Sequence, residues 1–129
     1  MAVRIGLPFF IGEKGETMTD KLNILWTTGD PVIAEKMILM YAINGKIHGW
    51  WDQVSIIIWG ASSQLVAKDP IIQDHIEFAL KKGVHISACK ACADQLGTTS
   101  QLEALGIELK YWGQGLTDLL KSDQKLLSL

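Results

Sequence analysis

The sequence predicts a single α/β domain with a mostly parallel sheet and helices on both of its faces. Three observations lead to this prediction. Short apolar runs alternate with segments of helical periodicity. The connections between Trp26 and Ile107 each exceed the dozen residues that a parallel crossover needs. The chain has 129 residues, which is the size of one ordinary domain.

The regular pattern begins after residue 20. Leu22–Trp26 is an apolar run broken only by Asn23, as expected of a strand that is covered on both faces. Asp30 and Pro31 follow, and they predict a helix start because Asp caps free amides and Pro needs no N–H in the first turn. Apolar residues then recur at helical spacing up to about Ile47.

The middle of the chain repeats this arrangement. Val54–Trp59 is a second buried-strand run, and Asp69-Pro70 repeats the cap and proline. The helix that follows ends at Lys81-Lys82-Gly83, with basic residues near the negative end of the helix dipole. A third strand over Val84–Ala88 leads directly into Cys89.

The C-terminal third continues the alternation. It contains, in order, a short helix up to Leu96, a second helical piece over Ser100–Leu105, a fourth strand over Ile107–Tyr111, a helix over Leu116–Leu120 and a possible fifth strand over Lys125–Ser128. The chain has no internal repeat and no linker, so residues 21–129 are predicted to form the domain.

Residues 1–20 do not fit the pattern. Apolar Ile5–Ile11 runs into the turn-like Gly12–Glu16, without the small-residue cleavage site of a signal peptide. We expect either an N-terminal arm that packs on a neighbour or an extension upstream of a start at Met18. Two cysteines are too few for a secreted disulfide scaffold, so a cytoplasmic location is expected.

Composition excludes several classes of protein. Apolar residues make up 48% and charged residues 20%, which excludes disorder. Twelve Lys and Arg against fourteen Asp and Glu give a net charge of −2 without a basic cluster, so nucleic acid is not an expected partner. No apolar run approaches the ~20 residues of a membrane span. The apolar bias favours a homo-oligomer.

The predicted strands end in residues suited to a binding site. In open parallel sheets, ligands bind at the carboxyl ends of the strands. The candidate binding residues at those ends are Trp26, Thr27, Trp59, Gly60 and Trp112. The alternative is that the large rings only cap the open end of a small sheet.

The sharpest signal is a Cys-x-x-Cys pair. Cys89 is predicted in the first turn of a helix, where free amides and the helix dipole stabilise an anion, so its pKa should fall below the ordinary ~8.5. Lys90 adds a positive charge if its side chain turns inward. Cys92 lies one turn further on, at about 5–6 Å between Cβ atoms, so a disulfide needs only a small closure.

Other roles for the pair remain open. One Cys-x-x-Cys is half a zinc site, and no second pair completes it, so no metal is expected. Thioredoxin-like redox chemistry also uses this motif, and two inert buried thiols are a further alternative. His85 lies about 13 Å along the strand from Cys89, so activation is expected from the backbone. No glycine-rich phosphate loop occurs, and no cofactor is expected.

Several segments together resemble the DsrE/DsrF-like proteins. They are Trp26–Asp30, Trp59–Ser62, Gly83–Cys92, Leu105–Ile107 and Tyr111–Gly113, and the resemblance covers about residues 21–129. Its most specific part is the Gly-Val-x-Ile-x-Ala-Cys segment that begins at Gly83. The resemblance implies a three-layer α/β/α domain with a five-stranded parallel sheet, assembled into trimers or hexamers.

The resemblance also implies sulfur relay, in which a cysteine carries a persulfide from a donor protein to an acceptor protein. The active cysteine of the family matches Cys89, whereas Cys92 has a counterpart only in some branches, such as the YchN-like proteins. The first hypothesis is therefore a sulfur carrier of sulfurtransferase type that uses Cys89, with Lys90 and Cys92 beside it. The alternatives are a dithiol redox protein and a non-catalytic oligomeric scaffold with buried thiols.

Overall fold

The computed structural model describes residues 20–129, and the predicted N-terminal arm lies outside the described residues. Within them the chain forms one sheet of five parallel strands, which confirms the predicted α/β class and the three-layer arrangement. The strands are β1 Lys21–Trp26, β2 Gln53–Ile58, β3 His85–Cys89, β4 Glu108–Lys110 and β5 Lys125–Ser128. Their order across the sheet is β4-β3-β2-β1-β5.

Helices occupy most of the connections between the strands. They are α1 Pro31–Ile33, a π-helical segment Ala34–Leu39, α2 Met40–Ile47, α3 Ala61–Lys68, α4 Pro70–Lys81, α5 Lys90–Leu96, α6 Thr99–Ala104 and α7 Gly113–Lys121. The predicted helix up to residue 47 is present, with a π-helical middle that the sequence pattern did not indicate. No helix within residues 20–129 is long and apolar enough to cross a membrane.

Helix α3 was not predicted, because its buried face is not apolar enough to show the usual periodicity. Two of its three buried residues are serines, Ser62 and Ser63, and the third is Val66. The hydroxyl of Ser63 donates to the carbonyl of Gly60 at 2.8 Å, which satisfies this polar group inside the fold. Local hydrogen bonding therefore replaces apolar patterning here.

The two predicted helix caps are confirmed. Asp30 Oδ1 accepts from the amides of Val32 and Ile33 at 2.7 and 3.1 Å. Asp69 Oδ1 accepts from the amides two and three residues further on, at 2.9 and 3.2 Å. In each case a proline follows, so the first turn begins with the free amides satisfied and φ already set.

The two faces of the sheet differ in polarity. One face carries the residues of the main core, which pack against the helices that connect β1 to β4 and include Ile24, Ile56, Ile58 and Ile86, each at most 1% exposed. Because strand side chains alternate, their neighbours point to the opposite face. That face carries polar residues in register, with Asn23 beside Ser55 and Ser55 beside His85. Helix α7 stands over this second face.

Candidate functional site

Cys89 is the last residue of β3 and the N-cap of α5, with φ −69° and ψ 113°. The sequence predicted Cys89 in the first turn of the helix. It lies one position earlier, because β3 extends one residue further than predicted. Its residue is 5% exposed, and strand alternation places its side chain on the same face as Ser87. The carboxyl edge of the sheet thus holds Cys89 in a largely covered position at a strand-to-helix junction.

Cys92 lies beside Cys89 on the exposed side of this junction. It is partly exposed, and both cysteines are free thiols. Burial raises the pKa of the Cys92 thiol, the neighbouring Cys89 thiol raises it further, and the backbone amide of Gly60 opposes the shift. Cys92 is therefore protonated at neutral pH, and the Gly60 amide and both sulfur atoms meet in one place.

The turn between β2 and α3 brings the Gly60 amide to the thiols. Gly60 has φ +76°, which L side chains rarely adopt, so glycine suits this sharp turn. The preceding amide of Trp59 donates to Trp26 O and to Ser62 Oγ, both at 3.0 Å. Ser62 Oγ in turn donates to Trp26 O at 2.6 Å. This buried network fixes the turn that faces Cys92.

The tryptophans of the predicted crevice have three different positions. Trp26 is fully buried in the core, with Nε1 donating to Thr28 O at 3.0 Å, so its ring presents no open surface to a ligand. Trp59 is partly exposed next to Gly60. Trp112 is 9% exposed and donates from Nε1 to Ser87 Oγ at 3.0 Å. Of these three tryptophans, only Trp59 keeps partly exposed surface.

Thr27 has a structural contact at the same edge of the sheet. Its amide and its hydroxyl both donate to Leu129 O, at 2.7 and 2.9 Å. These bonds continue the pairing of β1 with β5 beyond the last ladder residues. The predicted binding role of Thr27 has no counterpart in these contacts.

The Lys90 side chain turns to Asp94, so the condition under which it would add a positive charge beside the thiols is not met. Its ammonium donates to Asp94 Oδ2 at 3.1 Å and lies 6.0 Å from the centroid of the Tyr111 ring. Asp94 raises the pKa of Lys90, whereas a hydrogen bond from Thr99 and the charge of Lys90 lower the pKa of Asp94. The lysine is held along α5 by an i,i+4 ion pair.

The three histidines contact groups away from the thiol pair. His85 Nε2 lies 2.9 Å from Glu108 Oε1, and His75 Nε2 lies 3.4 Å from Glu35 Oε2. His48 stacks on Trp50 with 5.3 Å between ring centroids. In the part of the chain that the structure describes, no three His, Cys, Asp or Glu side chains are grouped to hold a metal ion.

Sequence reasoning missed two buried serines that support the site. Ser62 holds the turn that presents the Gly60 amide, and Ser87 accepts the Trp112 hydrogen bond two residues before Cys89. Both serines are fully buried. The signal for Ser87 is its position between two apolar residues of a strand, which places a polar group on the face opposite the main core.

Comparison with solved structures finds a similar protein, the conserved protein of unknown function BT1422 from Bacteroides thetaiotaomicron. The two are 43% identical over 88% of this chain and 99% of that chain, with a TM-score of 0.85. This chain belongs to the same family as the Bacteroides protein. The Bacteroides protein is described as one of unknown function, so the shared family establishes the fold and leaves the DsrE/DsrF-like resemblance a prediction. Neither a protein-family model nor a curated protein matched the chain.

Proposed function

We propose that this protein is a sulfur carrier of sulfurtransferase type, in which Cys89 accepts a sulfane sulfur and passes it to a partner thiol. The observation that carries the proposal is the meeting of the Cys89 thiol, the Cys92 thiol and the Gly60 amide. They meet at the carboxyl edge of a parallel sheet, which is where this kind of sheet binds its ligands. The resemblance of Gly83–Cys92 to DsrE/DsrF-like proteins points to the same chemistry.

The transfer needs two displacement steps. The Cys89 thiolate attacks the outer sulfur of a donor persulfide, a new S–S bond forms, the donor S–S bond breaks, and the donor leaves as a thiolate. An acceptor thiolate then attacks the outer sulfur on Cys89, which returns Cys89 as a thiolate. No net oxidation occurs, because one sulfane sulfur moves between three thiols.

The local environment favours holding the sulfur over losing it. A protonated Cys92 is a hydrogen-bond donor to an anionic persulfide and a poor nucleophile, because only the thiolate attacks. The raised pKa of Cys92 thus slows its attack on the inner sulfur of Cys89, which would release hydrosulfide and leave a disulfide.

Intact-mass spectrometry after incubation with inorganic polysulfide tests the proposal. We expect one added sulfur atom on the wild-type chain, located at Cys89 by peptide mapping, and none in Cys89→Ser. Cys92→Ser is the matched control, because it retains a hydroxyl donor and should load and hold the sulfur. Absence of an adduct under conditions that load a known persulfide carrier would contradict the proposal.

The contact between the two thiols also favours a second candidate, a dithiol redox protein in which Cys89 and Cys92 cycle through a disulfide. Two electrons and two protons would pass to an oxidised partner such as a protein disulfide. Thiol titration before and after a mild oxidant distinguishes the candidates. A redox protein loses both free thiols and depends on Cys92, whereas a carrier retains sulfur transfer in Cys92→Ala.

We further propose that the carrier works as a homo-oligomer, a trimer or a hexamer, and exchanges sulfur with donor and acceptor proteins. Large exposed apolar side chains support an assembly. Val32, Met40, Ile71 and Phe78 on the helices and Trp50 in the loop after α2 are each at least 45% exposed. Two free thiols fit the reducing cytoplasm as its compartment. Sedimentation of the full chain as a monomer would contradict the assembly.

A further inference from the structure

An exposed apolar surface lies on the outer side of two neighbouring helical segments that cover the main core. We call it the apolar face. Its six large side chains are each at least 39% exposed; they are Ile33, Met37, Met40 and Ile47 in the segment from α1 to α2, and Ile71 and Phe78 in α4. Met40 and Phe78 line a groove of about 250 Å³ between the two segments. Exposed apolar clusters of this kind mark interaction sites.

The charges in this groove balance one another. Glu35 Oε2 lies 3.4 Å from His75 Nε2 and 3.8 Å from Lys36 Nζ. His75 Nδ1 lies 2.8 Å from the carbonyl oxygen of Ile71 in its own helix. The groove therefore has no excess of either sign that would select a charged ligand, and it can meet a copy of itself without net repulsion.

The exposed area fits what one partner contributes to a stable dimer. At roughly 150–200 Å² for a fully exposed large side chain, the six side chains at about half exposure present on the order of 500 Å². A standard interface covers about 800 Å² on each partner, and somewhat more than half of that area is apolar. The apolar face thus supplies the apolar share of an interface between two chains.

Helix α4 is complementary to itself in the antiparallel direction. Asp74 lies four residues before Phe78 and Lys82 lies four residues after it, so both are on the same side of the helix as Phe78. Lys82 Nζ lies 5.3 Å from the centroid of the Phe78 ring, and no ion pair within residues 20–129 involves Asp74 or Lys82. When a second α4 lies antiparallel with the two Phe78 rings in contact, each Asp74 faces the partner's Lys82.

The same two-fold axis also suits the neighbouring helical segment. Met40 is level with Phe78, because both line the groove. Ile33 and Ile47 are each seven residues from Met40 and are 40% and 48% exposed. In the antiparallel arrangement Ile33 of each copy therefore comes opposite the partner's Ile47, so that apolar surface meets apolar surface.

We infer that the apolar face is a two-fold interface with a second copy of this chain, in which α4 packs antiparallel on α4 with Phe78 at the centre. The inference rests on the proposed homo-oligomer and identifies one of its contact surfaces. A two-fold contact closes in a dimer or joins two trimers in a hexamer, whereas a trimer alone contains no two-fold axis. The interface therefore requires an even number of subunits.

Analytical ultracentrifugation of the full chain tests the inference. We expect the wild type to sediment as a dimer or a hexamer and Phe78→Glu to halve that mass, because two carboxylates then meet in an apolar contact. Met40→Glu, in the same groove, should have the same effect, and circular dichroism checks that both variants are folded. Leu120→Glu is the matched control, because Leu120 is 67% exposed on α7 and lies outside the apolar face.

Reversal of the two charges on α4 tests the antiparallel alignment. Asp74→Lys should weaken the association about tenfold, because like charges then meet at both ends of the contact, and adding Lys82→Asp to the same chain should restore it. Wild-type mass in a folded Phe78→Glu or Met40→Glu, an equal loss of mass in Leu120→Glu, or no restoration in the double variant would overturn the inference.

The same measurements separate this inference from the proposed function. A wild-type trimer would overturn the two-fold interface and leave the proposed assembly intact, whereas a wild-type monomer would overturn both. Phe78→Glu should still take up one sulfur atom at Cys89 from inorganic polysulfide. A failure of sulfur transfer is therefore seen independently of a failure of the interface.

Discussion

The hydrogen bond between Trp112 and Ser87 gives the most sharply defined stability prediction. Trp112 Nε1 donates to Ser87 Oγ at 3.0 Å, the serine is fully buried, and the indole is 9% exposed. Trp112→Phe removes the donor and leaves the hydroxyl without its partner, which costs about 1–3 kcal/mol. Lost packing of the larger ring adds about 1 kcal/mol, so we expect a total of about 2–4 kcal/mol.

Ser87→Ala removes the acceptor instead and should cost about 1–2 kcal/mol, because the indole N–H is then unpaired. In the double variant no polar group is left without a partner. The two effects should therefore sum to less than their separate values, with a coupling energy of about 1 kcal/mol. The free energies come from urea unfolding followed by circular dichroism, and each kcal/mol corresponds to roughly 3–5 °C in Tm.

Tyr111→Phe is the matched control, since this neighbouring ring is 67% exposed and the change should stay within about 0.5 kcal/mol. A coupling energy of zero between the Trp112 and Ser87 variants would refute the reasoning. It would mean that the bond across the second face of the sheet contributes nothing, and that packing alone holds the ring under α7.

Three further predictions concern caps and titrating groups. Asp69→Ala should cost about 1 kcal/mol in urea unfolding because two amides of α4 lose their acceptor, whereas the exposed Asp74→Ala should change little. Thr99→Val should move the pKa of Asp94 upward toward its ordinary value, seen in a carboxylate NMR titration, and an unchanged pKa would contradict the assigned cause. Cys92 should react with iodoacetamide only at a pH above the range in which ordinary thiols react, because its pKa is raised. The folded state holds the Cys92 proton more tightly than the unfolded state, so the stability that this thiol contributes is present at lower pH and is lost as the pH rises through the raised pKa.

The class of fold and the order of its elements could be predicted from the sequence because their causes are local. Asp30 and Asp69 cap helices with their own side chains, and apolar runs such as Leu22–Trp26 form strands wherever they are buried. Connections of more than a dozen residues then allow the crossovers that parallel pairing needs. The sequence also placed Cys89 and Cys92 together at the edge of the sheet, since three residues separate them along the chain.

Tertiary structure alone decided which face and which partner each side chain has. Trp26 and Trp112 look alike in the sequence, yet one is inside the main core and the other bonds to Ser87 across the opposite face. Lys90 turns to Asp94, and the Gly60 amide reaches Cys92 from a turn that is distant along the chain. Contacts between distant segments depend on how the helices and strands pack, and that packing is a property of the whole chain rather than of any one segment.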